Sequence, residues 1–508
     1  MFKRMKTGAS ALALLIGISG AAFAQDREIV VAQGIDMPGF DIHDHRNTAV
    51  EAVMINMFDY LVMRDEKGVL QPALATDWEV ISDQAIRFNL RKGVLFHDGT
   101  EMTAEDVSFS LDRVTKDPSV QLNLFYKAIS DVEIVDEYTV IVRTHKPDAI
   151  LLNRISNVGS GIVPKHYVEK VGWEGFATAP IGTGPFKFVE WRRDDRVIMD
   201  VFPEHWRGRA HWDRLVHRTI PESSTRVGEL MSGGVDIALP VPEQELARIN
   251  ATDGVETKPS PTSRVMNLFL NTKEGSPLHD PKVREAVDLA IDEQGLIDLV
   301  MGGMGVPTRA SIVPGITDVP MELFGTYLYD PERAVELLKE AGYGPGELTI
   351  PLAGPKGRYP RDAELLEVIS VMLNQVGIKT ELSILEWSAF QSRYWGIQNI
   401  DGMVLIGNAS PLGDGYQQTY RFVCGALWSE MTGWCDERFS ELVLAASTST
   451  DRVERPKQLG EAYHILTEGR PILPLFQLEN IVGMSSAIDW TPDANESLWM
   501  YRAHPKGN

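Results

Sequence analysis

Cysteine is nearly absent. The 508 residues hold only Cys424 and Cys435, eleven positions apart, a spacing that fits neither a CxxC redox pair nor a cysteine-rich zinc site. Basic residues are also scarce: Lys+Arg 49 against Asp+Glu 71 gives a net charge of −22, which argues against nucleic acid as a partner because a phosphate backbone needs a basic face. There is no HExxH, no Walker A sequence, no GxSxG and no GxGxxG after a strand, so the common catalytic and nucleotide-binding signatures are missing. Beyond the N-terminus no apolar run approaches the roughly 20 residues that cross a bilayer, and no membrane insertion is expected. Internal repeats, low-complexity tracts and long linkers are lacking as well, so any lobes must be joined by short crossings.

What is present begins with a secretory signal. Lys3, Arg4 and Lys6 precede the apolar run from Ala11 to Ile16, and Ala22-Phe23-Ala24 supplies a small-residue cleavage site, so residues 1–24 are set aside as a signal peptide. The pair Cys424 and Cys435 in an exported chain then reads as a local disulfide, with two buried thiols as the alternative. A hydrophobic fraction of 44% excludes disorder, and the length allows two to four lobes. The rhythm along the chain is α/β. Strands are expected at Glu28 to Ala32, Ile86 to Arg91, Tyr138 to Val142, Phe186 to Val189 and Leu268 to Leu270 from their β-branched or alternating patterns. Helices are expected after Thr48, after Thr103, over Pro281 to Ile291, and after Asp330, where Pro331 opens the first turn and Ala341-Gly342 ends it.

Three clusters invite a chemical reading. His43-Asp44-His45 offers two imidazoles and a carboxylate, but consecutive positions in an extended loop do not easily face one ion, and a solvated or ligand-facing loop is the simpler account. Gly302-Gly303-Met304-Gly305 lacks the lysine and the strand of a phosphate loop and reads as a flexible turn. Trp191, Trp206 and Trp212, and later Trp387, Tyr394, Trp395, Trp428 and Trp434, suit cores and lobe packing, with Trp387 set in a mixed polar segment where it could wall a pocket.

Several phrases in order resemble the extracytoplasmic solute-binding protein family 5 of ABC importers, the peptide, dipeptide and nickel-binding group. They are Asn56-Met57-Phe58-Asp59-Tyr60-Leu61, Leu74-Ala75-Thr76-Asp77-Trp78, the stretch from Phe88 to Gly99, Thr103 to Val107, Ile181 to Phe186, Val283 to Val287, and Asp330 to Tyr343. The resemblance implies a two-lobed α/β periplasmic binding protein with a hinge and an extra subdomain in the N-terminal lobe. On this reading lobe I covers residues 25–265, with the subdomain at about 50–180, lobe II covers 266–477, and 478–508 return to lobe I. It also implies periplasmic localisation, an ABC permease as membrane partner, a monomer, no cofactor and no enzymatic activity.

The family's peptide binders commonly hold the ligand ammonium with an aspartate shortly after a Gly-Trp pair. Here the loop reads Gly407-Asn408-Ala409-Ser410-Pro411-Leu412-Gly413-Asp414, with Asn408 in place of the tryptophan and Asp414 as the acid in reach. The ligand carboxylate is often met by an arginine near a tyrosine, a role that Arg358 beside Tyr359 fits, with Arg361 as an alternate. Trp387 and Asn408 are expected to shape the side-chain pocket. The solute is then a di- or oligopeptide; an opine or amino-acid conjugate, an oligosaccharide stacked on tryptophans, and a metal complex near His43 and His45 are the alternatives within the class. A periplasmic hydrolase and a peptide-holding chaperone are the rivals outside it.

Overall fold

A computed structural model describes residues 27–45, 48–65, 68–395, 400–492 and 497–507. The expected signal peptide lies outside the described residues. The local signals act as their physical chemistry requires. Thr103 caps the helix Ala104–Lys116 by accepting the Glu105 N–H, while the Asp106 carboxylate accepts the Thr103 N–H at 2.9 Å. Asp280 and Asp330 cap Pro281–Ala290 and Pro331–Glu340 in the same way, each with proline in the first turn. Cys424 and Cys435 are joined as a disulfide, which removes the free-thiol alternative.

One eleven-stranded sheet runs through the molecule. Its order is Ile378–Glu386, Leu348–Lys356, Met403–Ala409, Val255–Leu270, Ile472–Ser485, Ile237–Ala238, Glu28–Gln33, Arg214–Thr219, Arg196–Val201 and Phe186–Arg192, with Val306–Pro307 also on Ile472–Ser485. The two long central strands are antiparallel and serve both halves. Residues 264–270 pair with the second half through Met403–Ala409, whereas residues 483–484 pair with the first half through Ile237–Ala238.

Between those halves the ladder breaks. Pro261 faces Glu479 and Val265 faces Gln477, so residues 262–264 stand opposite Leu478 alone, a bulge that bends the strand where the two halves meet. Side chains knit it: Thr262 Oγ1 donates to the Leu478 carbonyl at 2.7 Å, and Gln477 Nε2 donates to the Thr262 carbonyl at 2.7 Å.

The cores follow this division. One set of buried side chains, including Leu268, Val287, Leu366 and Leu405, and a neighbouring set around Phe269, Phe422 and Phe439, fill the second half. Ile29, Phe58, Phe186 and Leu215 fill the first half together with Ile488, Leu498 and Met500 from the end of the chain. Asn56 ties that return in place, donating to the Leu498 carbonyl and accepting the Met500 N–H, each at 3.0 Å. A third core, including Phe88, Val107, Leu111 and Val140, lies under the separate four-stranded sheet ordered Ala75–Ser82, Ala85–Leu90, Thr139–Thr144, Ile129–Asp136.

Candidate ligand-binding cleft

The cleft begins with a loop and the carboxylate that folds it. Gly357 to Arg361 connect the strand Leu348–Lys356 to the helix Asp362–Gln375. Asp362, buried at the helix start, accepts the N–H groups of Gly357, Arg358 and Tyr359 at 3.0, 2.9 and 3.0 Å. Charge-assisted bonds of this kind fix the backbone from which the side chains of Arg358 and Tyr359 project.

Tyr359 is buried and its hydroxyl donates to the Gly407 carbonyl at 3.1 Å. Position 407 must be glycine for this: a Cβ there would lie 2.9 Å from Arg264, Met266 and Tyr359 side-chain atoms, closer than packed carbons tolerate. The Trp387 ring meets Tyr359 edge-on, with centroids 6.5 Å apart. Arg358 is exposed and lies over both rings, its Cζ 5.1 Å from the centre of Tyr359 and 5.4 Å from that of Trp387. Among the described residues no carboxylate lies within 4.0 Å of its guanidinium. These groups border a cavity of about 790 Å³ between the halves, closed on the other side by Gln33, Gly34, Pro221 and Leu239 and floored by Ser260, Arg264 and Asn480.

The remaining expected site residues lie elsewhere. Asp414 is buried and saturated: its Oδ1 accepts Arg455 Nη2 at 2.8 Å and the Tyr416 N–H at 2.9 Å, and its Oδ2 accepts Arg455 Nη1 and Thr317 Oγ1, each at 3.1 Å. Arg455 also pairs with Asp318, so the charge of Asp414 is already matched by the chain. Arg361 joins Glu364 beside it and Glu243 of the first half, each at 2.9 Å, and makes an ion pair across the cleft. Asn408 is buried opposite Val265, one residue beyond the carbonyl that holds Tyr359, and does not border the cavity. His43 and His45 are buried against the Gly161 and Ile42 carbonyls at 2.9 and 3.1 Å, and burial lowers the pKa of each to about 4, so they stay neutral structural groups outside the cleft.

The loop that carries Asp414 contributes through its backbone. Arg64 Nη2 and Asn153 Nδ2 donate to the Leu412 carbonyl at 2.9 and 3.0 Å, and Asn157 Nδ2 donates to the Pro411 carbonyl at 3.0 Å. Gly413, at φ +59°, leaves the space that the Arg64 guanidinium fills. These bonds close a second, smaller chamber of about 330 Å³, bordered by Tyr60, Met63, Val313, Ile316 and Trp499 and meeting the first at Ser497. Arg64, Asn153, Asn157, Arg264 and Asp362 were not singled out from the sequence. Only Asp362 carried a local hint, as an acid opening a helix, and Arg264 a faint one, as it follows Pro259 and Pro261 where a strand would be interrupted.

Comparison with known proteins agrees with this architecture. The family model described as bacterial extracellular solute-binding proteins, family 5, middle, matches residues 69–426. The glutathione-binding protein GsiB of Shigella dysenteriae is 29% identical over 387 residues, 75% of this chain and 74% of its own. HbpA2 from Haemophilus parasuis superposes with a TM-score of 0.84 at 23% identity, covering 94% of this chain and 100% of the other. The periplasmic binding protein DppA from Helicobacter pylori, in complex with the peptide STSA, gives 0.76 at 25% identity over 95% and 99%. The two-lobed α/β fold, the cleft between its lobes and the match over most of the chain agree: this protein belongs to the bacterial extracellular solute-binding proteins of family 5.

Proposed function

We propose that this protein is the periplasmic solute-binding component of an ABC importer, working as a monomer that encloses a short peptide or peptide-like carboxylate between its lobes and delivers it to the membrane permease. The lobes meet at residues 265 and 477 on this reading. Arg358 carries the proposal: a guanidinium fixed over two aromatic rings at the cavity wall, without an ion-pair partner among the described residues, suits the carboxylate of an arriving solute. Binding favours the closed form because only that form brings both walls to the ligand. No covalent step is needed. The glutathione-binding and peptide-binding relatives support the same solute class.

Isothermal titration of the secreted chain with glutathione and with Ala-Glu tests the reading. Saturable binding of either, weakened at least about tenfold by Arg358→Gln, supports it, since a charge-assisted hydrogen bond is worth roughly 1.5–3 kcal/mol. An unchanged affinity in Arg358→Gln removes the arginine from the site, and no binding of either compound overturns the solute class.

A further inference from the structure

A glycine run that the cleft does not use lies on the seam between the two halves. Gly302-Gly303-Met304-Gly305 follows the helix Glu293–Leu299 of the second half, and the methionines on either side of Gly302-Gly303 face different cores. Met301 is buried with Val287 and Leu366 in the second half, whereas Met304 packs against a cluster of the first half that includes Val227, Leu230 and Val241. The run therefore reaches from one half to the other.

A carboxylate of the first half meets it there. Glu243 opens the short turn Glu243–Glu245 just after Val241, whose N–H donates to the Ile481 carbonyl at 2.9 Å. Its Oε2 accepts Arg361 Nη1 of the second half at 2.9 Å, and its Oε1 lies against Gly302, where a Cβ would overlap that oxygen. Position 302 must be glycine for the carboxylate to keep this place. The next residue supplies a contrast: Gly303 has a similar left-handed backbone, φ +82° against +64°, but a Cβ there would meet nothing among the described residues within 4 Å. Arg361 itself stands at φ +52°, a conformation that a residue with a Cβ seldom holds unless its surroundings impose it. Around these contacts the halves leave a cavity of about 290 Å³, bordered by Pro242, Met301 and Pro360, so the grip is local rather than a packed face.

We infer that Glu243, seated between Arg361 and Gly302, is a clasp that holds the lobes together before solute arrives and so sets how far the empty protein is already closed. The inference rests on the reading above, in which the lobes open and close. Both partners of Glu243 lie across the seam, so opening breaks the ion pair and withdraws the glycine, and closure restores both. The pair is partly exposed, so its contribution is modest and falls as salt rises. A modest clasp suits the task, because it biases an equilibrium without locking it. Arg361 follows Tyr359 and Pro360 of the cavity wall, so the clasp grips the same loop that presents Arg358.

The test reads the distance between the lobes in the secreted chain without solute. Cys424 and Cys435 are already joined, so Ser224→Cys and Ala389→Cys, at exposed positions just beyond Pro221 and Trp387 on the two walls of the cleft, take spin labels for double electron–electron resonance. In this labelled background Glu243→Ala should lower the ratio of closed to open molecules by about two- to fivefold, the range of an exposed ion pair. Gly302→Ala should lower it at least as much, since its Cβ displaces the carboxylate, while Gly303→Ala, with similar backbone strain and no clash, should change it less than about 1.5-fold. Adding Gly302→Ala to Glu243→Ala should bring no further loss, as for two changes that remove one contact. An unchanged ratio in Glu243→Ala, an equal shift in Gly302→Ala and Gly303→Ala, or a wild type that is wholly open overturns the clasp. Should Gly302→Ala not fold by thermal melt, Glu243→Lys carries the comparison: it sets like charges side by side at Arg361 and must lower the ratio further than Glu243→Ala, and failure to do so defeats the inference. Saturating glutathione or Ala-Glu separates the two readings. A distance that shifts with either compound but not among the variants defeats the clasp alone, whereas one that shifts with neither the compounds nor the variants defeats lobe closure as well.

Discussion

Arg455 and Arg358 belong to the same lobe and lead opposite lives. Arg455 is buried, and its guanidinium is matched by Asp414 and Asp318 of the same chain. Arg358 is exposed, spread over the faces of two aromatic rings, and matched by no described carboxylate. Where the fold supplies the counter-charge, the arginine serves stability; where it supplies only π faces, the charge remains available to something from outside. Asp414 sits in the loop that resembles the family's ammonium-binding segment, yet its charge is spent on Arg455, which lies 41 positions further along the chain.

The largest expected effect strikes the first member of the pair. Arg455→Met leaves Asp414 buried without its counter-charge, and denaturant unfolding should report a loss of about 3–5 kcal/mol, with solute affinity in the surviving folded fraction little changed. A cost below about 1 kcal/mol would erase the distinction between the two arginines.

Glu293 extends the comparison to a buried acid that the fold leaves without a counter-charge strong enough to ionise it. It is 1% exposed, its Oε2 has no hydrogen-bond partner among the described residues, and burial, reinforced by Asp288, pushes its pKa up to about 9. The folded protein therefore retains a proton that the unfolded chain releases above about pH 4.5, so this group's contribution to stability is full below that value and declines as pH rises toward 9. Glu293→Gln keeps the shape and removes the titration. It should raise stability at pH 8 by about 2–3 kcal/mol and change it little at pH 4, as read by unfolding at the two pH values; equal effects at both would assign the change to packing.

Arg358→Gln gives the mirror image of Arg455→Met. Melting should shift by no more than about 0.5 kcal/mol, as for a surface change, while solute binding falls by about 1.4 kcal/mol or more. The smallest effect belongs to the bonds that span the cleft without touching solute. Asn157→Ala removes one donor from the Pro411 carbonyl, and a partly exposed bond of this kind should weaken affinity by about two- to fivefold, seen in stopped-flow as faster release at an unchanged association rate.

The sequence made some of this legible and hid the rest for a physical reason. Helix starts at Thr103, Asp280 and Asp330 could be read because a cap, its first turn and its apolar face lie within a few residues of one another. Arg358 and Tyr359 came from a short phrase that resembles a family, and they meet Trp387 at the cavity wall. The strand Val255–Leu270 was seen only at its end, since Pro259 and Pro261 each remove a ladder donor and disguise the strand that links the lobes. Asp414 could not be told from a ligand-binding acid by inspection, because what commits it is a helix far along the chain. Local chemistry shows in the sequence; the pairing of distant charges appears only in the folded chain.

The return of the chain to its first lobe bears on how the molecule is assembled. Buried Ile488, Leu498 and Met500 complete the core begun by Ile29 and Phe58, and strand Ile237–Ala238 pairs with Gly483 and Met484. A chain made N-terminus first cannot finish that core until its last residues emerge. The second lobe, built from one continuous stretch between the crossings, can complete its own packing earlier. Order of synthesis and order of completion are thus reversed, and loss of the C-terminal segment would open the lobe that was begun first.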